Sequence, residues 1–108
     1  MTCEISPIAV VIKAGQTVST PFSLGNAAYA GIIYPAVMDG TTLKIEVSAG
    51  SFQTFVPQGS PQVSLTIQPG VAVDWIGPMN SSQAFSNYRF VAATVQAADR
   101  LIWIVGKG

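Results

Sequence analysis

The stretch Leu43-Lys44-Ile45-Glu46-Val47-Ser48 alternates apolar and polar side chains without a break. Successive residues of a strand point to opposite faces, so this run reads as a strand with Leu43, Ile45 and Val47 toward a core and Lys44, Glu46 and Ser48 toward water. Ala49-Gly50-Ser51 turns the chain after it. Val63, Leu65 and Ile67 alternate with Ser64, Thr66 and Gln68 in the same way, until Pro69-Gly70 stops the ladder.

Working outward from these two runs, further strands are expected at Ile8 to Lys13, Thr17 to Leu24, Ala30 to Tyr34, Phe52 to Val56, Val71 to Trp75, Tyr88 to Val95 and Leu101 to Val105. Ala14-Gly15, Gly25-Asn26, Asp39-Gly40, Gln58-Gly59 and Ala98-Asp99 supply turns between them. Val 12 and Ile 10 against Leu 4 is a β-branched composition, which packs well on a pleated surface and loses rotamer freedom in a helix. No ten-residue helical pattern is present to carry a parallel crossover, so the expected fold is all-β, an antiparallel, jelly-roll-like sandwich of about eight to nine short strands. Residues 8–108 form its single domain, and Met1 to Pro7 is read as an N-terminal arm that orders against a partner. Asn80 to Asn87 is loop-like in composition and reads as a long excursion between two strands.

The chain has 108 residues, of which 49% are hydrophobic and only 9% charged, and its formal net charge is 0. By surface scaling a folded chain of this size exposes roughly 5,700 Å² and hides about two-thirds of what it exposes unfolded, enough for a true core. Its surface must be mostly uncharged: Ser 10, Thr 8, Gln 7 and Asn 3 provide neutral polarity, but few charges keep neighbours apart. Such a surface suits a protein that lives inside an assembly. No basic footprint exists for nucleic acid or anionic lipid, so neither nucleic acid nor membrane is an expected partner. Glu4 rather than a basic region precedes the short apolar run Ile8 to Ile12, which fits neither a signal peptide nor a membrane span, and synthesis in the cytoplasm is expected.

There is no His, and Cys3 is the one cysteine. Ser-His-Asp and Cys-His catalysis, His-ligated metals and an intrachain disulfide are thereby excluded, and no cofactor or metal is expected. Asp39, Glu46, Asp74 and Asp99 are the carboxylates from which a glycosidase pair would have to come. Each has a competing structural role: Asp39-Gly40 is a turn, Glu46 lies on the wet face of a strand, and Asp99-Arg100 opens the last strand. The chain therefore reads as a non-enzyme. Tyr29, Tyr34, Trp75, Tyr88 and Trp103 bear on a carbohydrate site, since sugars stack on exposed rings. Trp103, between Ile102 and Ile104, reads as core or subunit interface, whereas Trp75, followed by Ile76-Gly77-Pro78, is the better candidate for exposure. Arg89 and Arg100 are expected to pair with Asp74 or Asp99. Candidate interface residues are Met1, Thr2, Cys3, Glu4 and Ile5 in the arm, and Trp75, Ile76, Met79 and Phe85 at the strand end and the loop beyond it.

Leu24-Gly25, Tyr29-Ala30-Gly31-Ile32-Ile33-Tyr34-Pro35, Leu43 to Ser48, Phe52, Tyr88-Arg89-Phe90-Val91 and Gln96-Ala97-Ala98-Asp99-Arg100 before the final apolar strand together resemble a family of small virion proteins of tailed bacteriophages. Ser48-Ala49-Gly50-Ser51 stands where that family usually has an Asp-Gly turn, and Trp75 to Asn87 departs from its pattern. The resemblance implies a jelly-roll sandwich and a structural role on the phage head, as a capsid decoration (cement) protein. Its partners would be the major capsid protein and neighbouring copies of itself, and its location the virion. A head-tail connector or tail component, and an adhesion module binding a surface glycan, are the alternatives.

Overall fold

The computed structural model describes residues 4–23, 29–48, 54–75 and 87–107, with 4–6, 29, 74, 75 and 107 placed by their backbone alone. Eight strands run in order: β1 (Glu4–Ile12), β2 (Tyr29–Ile33), β3 (Thr42–Ser48), β4 (Val56–Pro57), β5 (Ser64–Thr66), β6 (Ala72–Trp75), β7 (Asn87–Ala92) and β8 (Arg100–Lys107). All pairings are antiparallel, in one sheet of order β1-β8-β2-β6 and a second in which β3 is flanked by β7 on one side and by β4 and β5 on the other. No described residue is helical. The accessible surface is 5900 Å², close to the value that scaling gives for a compact chain of this mass.

The segment 17–22, expected as a strand, is a series of isolated bridges. Pro21 has no N–H to donate, and two hydroxyls take over ladder positions. Phe90 N–H donates to Ser19 Oγ (2.8 Å) and Val11 N–H to Thr20 Oγ1 (3.1 Å). Ser19 N–H donates to Phe90 O in one sheet and Thr20 N–H to Val11 O in the other, so this segment stitches the two sheets along one side. Counting it as a strand, the chain is one long hairpin: β1 lies against β8, 17–22 against β7, β2 against β6, and β3 against β4 and β5. Rolling that hairpin places β8 beside β2 and β7 beside β3, which is the jelly-roll arrangement.

The core between the sheets follows the expected alternation through Val47, whereas Ser48, expected toward water, is buried. Leu43, Ile45 and Val47 of β3 are buried beside Ala92, Phe90 and Tyr88 of β7, and this side of the sheet faces Ile102, Ile104, Ile32, Val10 and Ile12 of the other sheet. Phe22 reaches in from the stitching segment, with ring centroids 5.9 Å from Tyr88 and 5.0 Å from Phe90.

Several expected strand ends move. β1 starts at Glu4 rather than Ile8, so part of the stretch read as an arm is in the sheet: Glu4 pairs with Lys107 and Ile5 with Gly106. The register then slips between Ile5 and Ile8, and the bulge accommodates Pro7, which cannot donate to a ladder. The strand expected from Phe52 is described only as Val56–Pro57, and the one expected to reach Val95 ends at Ala92, where the chain turns.

Candidate functional site

Two groups of side chains beyond the core bear on function: a polar cluster that ties loops together, and the outer face of the β1-β8-β2-β6 sheet.

The polar cluster centres on Gln96, a fully buried amide. Its Nε2 donates to the carbonyls of Asp39 (2.9 Å) and Thr94 (3.0 Å), and its Oε1 accepts from Asp39 N–H (3.0 Å) and from Arg100 Nε (3.4 Å). Both donors and the acceptor are satisfied, which is the condition for burying an amide. Asp39 Oδ2 accepts from Ala97 N–H (2.7 Å) and from Arg100 (3.1 Å), and these contacts hold its carboxyl below the usual range. Asp99 accepts from Ala14 N–H (2.8 Å) and faces Lys13 at 3.6 Å across an exposed pair, which also lowers its carboxyl. Gly40 follows Asp39 at φ 86°, and a Cβ there would stand 2.6 Å from Thr94 Oγ1. The Asp39-Gly40 turn is therefore locked to the 94–100 loop.

Glu46 pairs with Arg89 at 2.6 Å on the outer face of the other sheet, with the guanidinium 4.5 Å from the centre of the Phe55 ring. The expected pairing of the arginines with Asp74 or Asp99 is thus corrected. Arg89 takes Glu46, its cross-strand neighbour, and Arg100 takes Asp39 through the Gln96 cluster. Asp39 is engaged by Ala97 N–H and Arg100, Asp99 by Ala14 N–H and Lys13, and Glu46 by Arg89, so each of these three carboxylates has a structural partner. Among the described residues no three His, Cys, Asp or Glu side chains gather to hold a metal ion, and no helix is long and apolar enough to cross a membrane.

The outer face of the β1-β8-β2-β6 sheet has a different chemistry. Ala9, Trp103, Ile33 and Ala72 form one row straight across its four strands. Trp103 is 39% exposed and Ile33 42% exposed. Val11 beside Leu101, and Val105 beside Gly31, flank that row. None of these eight residues is charged. Asp74 stands opposite Gly31 in the edge strand, and the Lys13–Asp99 pair lies just beyond the end of β1, so charge begins at the margins of the face. The second sheet presents Thr42, Lys44, Glu46, Ser64, Thr66 and Arg89 outward instead, an ordinary wet face.

The expected interface residues fall partly on this sheet. Glu4 and Ile5 lie at the end of β1, Trp75 at the end of β6, and the row Ile5, Gly106, Ala30, Trp75 runs across the sheet from one edge to the other. The arm and the strand end before the loop thus share one end of one sheet, about 14 Å apart at ordinary strand spacing. Met1, Thr2, Cys3, Ile76, Met79 and Phe85 lie outside the described residues.

Ile33 and Leu101 were not among the expected interface residues and Trp103 was read as core or subunit interface, yet the sequence held a signal that finds all three. Leu101-Ile102-Trp103-Ile104-Val105 is apolar at every position, the signature of a strand buried on both faces. Only one of its faces is buried by this chain. Of the aromatic residues considered for sugar binding, Tyr34 and Tyr88 are buried and Trp103 is exposed, but the row beside Trp103 offers Ala9 and Ile33 rather than groups that bind hydroxyls. Compared with known protein families, characterised proteins and solved structures, the chain matches none.

Proposed function

We propose that this chain is a non-enzymatic structural protein of a phage particle, made in the host cytoplasm and carried on the head as a capsid decoration protein that contacts the major capsid protein and its own neighbours. The observation that carries the assembly role is the outer face of the β1-β8-β2-β6 sheet, where three strands keep apolar side chains on the side their own core does not cover. Water-exposed Trp103, Ile33 and Leu101 cost free energy that only a covering surface recovers. The jelly-roll order and the stretches resembling small virion proteins support placing that assembly on a phage head. The arm and the Trp75 end of the same sheet are the positions assigned to the shell.

The test is a count of copies on purified particles. A shell-wide decoration protein is present in hundreds of copies. A count in the tens or fewer reassigns the chain to a connector or tail, and its absence from particles refutes the virion role. A glycan array that shows selective binding moves the reading to an adhesion module.

A further inference from the structure

We infer that the apolar outer face of the β1-β8-β2-β6 sheet is covered by the same face of a second copy of this chain, in a two-fold symmetric, sheet-on-sheet dimer. The inference rests on the assembly reading only in that the face is covered, and it needs no phage shell.

Three properties select a second copy. In a two-fold contact each residue near the axis meets its own counterpart, so any charge there is set against a like charge. The central rows of this face carry none, and the charged residues that the register places on this side, Asp74 in the edge strand and Glu4 opposite Lys107 at the strand ends, lie away from its centre, while the opposite outer face would bring Lys44 and the Glu46–Arg89 pair against themselves. The chain's net charge of 0 also lets two copies approach without general repulsion. Relief is the second property. Trp103, 39% exposed, stands out beside Ala9. The central row thus sets a large side chain next to a small one, as interdigitating sheet faces require.

Area is the third. Four strands at ordinary spacing and about five residues of length give a face of about 19 by 17 Å, and with side-chain relief and the strand ends included a contact of about 500 Å² per copy. That doubles to about 1,000 Å² in all, the lower limit of a specific interface, so the dimer is a reversible one.

The experiment is sedimentation equilibrium of the purified full chain across a concentration series, with Trp103→Lys, Leu101→Lys and the uncharged Trp103→Thr on this face and Ser64→Asp on the other. The parent and Ser64→Asp move from 11.3 kDa toward twice that mass as concentration rises. Each Lys variant raises the dimer dissociation constant by at least about 100-fold, since the symmetry places two ammonium groups together, and Trp103→Thr weakens it less. Circular dichroism melts identify which variants stay folded, and Trp103→Thr carries the test if the Lys variants do not. A parent chain that stays at monomer mass throughout overturns the inference and assigns the face to a different partner. Folded variants that dimerise as the parent does overturn it too, placing the contact elsewhere. Monomer mass leaves the shell reading intact, and absence from particles leaves the dimer intact.

Discussion

Replacing Gln96 by Ala should cost the fold about 3 kcal/mol, although the residue lies in a loop outside the strands. Its amide is fully buried and makes three short bonds to main-chain groups, two to the carbonyls of Asp39 and Thr94 and one from Asp39 N–H. Each such bond contributes about 1 kcal/mol net, and a buried group left without a partner costs about 1–3 kcal/mol. Thr94 is exposed and Asp39 half-buried, so water reaches part of what the amide releases and brings the sum to the lower part of that range. Against a total stability of about 5–15 kcal/mol, a loss of about 3 kcal/mol lowers the melting temperature by roughly 10–20 °C. The assay is a urea titration followed by circular dichroism, with the midpoint moving and the slope unchanged. Gln96→Glu should be worse than Gln96→Ala, because it turns a carboxylate oxygen toward two carbonyls that now receive a donor. A Gln96→Ala chain melting with the parent, or a Gln96→Glu chain more stable than Gln96→Ala, would refute the network as the lock on the Asp39-Gly40 turn.

Four further outcomes follow from the same geometry. Ile45→Asp puts an unpaired carboxylate between the sheets at a fully buried position and should unfold the chain or remove about 3 kcal/mol or more, read by thermal melting. Gly40→Ala meets both a positive φ and Thr94 Oγ1 at 2.6 Å, so it should destabilise by about 1–3 kcal/mol, and adding Thr94→Ala should recover part of that in a double-mutant cycle. Asp39 and Asp99 are both held below the usual carboxylate range, so their stabilisation is present above the unfolded-state value and is lost as pH falls through the lower folded values: the melting temperature should drop below about pH 4, and less steeply in Asp39→Asn. Tyr34 is pushed up to about 12 by burial, which favours the neutral phenol in the fold, so stability should decline as pH rises above about 10 and do so less in Tyr34→Phe.

β3 was legible from Leu43 to Val47, because one of its faces is wet there and the alternation of Leu43, Ile45 and Val47 with polar neighbours names the core directly, while the burial of Ser48 at its end carries no such signal. β8 was legible as a strand but not as to which side meets the core, since an unbroken apolar run carries no period. Its inward set, Ile102 and Ile104, emerges only when β1 and β2 are paired beside it. The 17–22 segment misleads for a different reason. Ser19 and Thr20 have strand-like propensity, but their hydroxyls replace main-chain partners and Pro21 interrupts the ladder, so local preference gives way to a bond pattern set by β7 and β1. The arm was read from Met1 to Pro7 because that stretch lacks a clean alternation of its own, whereas a bulge at Pro7 lets the strand start earlier, at Glu4. Gln96 could not be found by composition at all: its three main-chain partners come from two loops that only the fold brings together.

The account's central claim is that the outer face of the β1-β8-β2-β6 sheet is a contact surface. Hydroxyl-radical footprinting with mass spectrometry tests it most directly, by comparing the oxidation of Trp103, Leu101 and Ile33 in dilute chain, in concentrated chain and in the particle. Protection of all three on concentration or assembly, with Val56 and Val95 on other exposed positions unchanged, is the predicted result. Oxidation of Trp103, Leu101 and Ile33 at the dilute-chain rate in every state would contradict the claim.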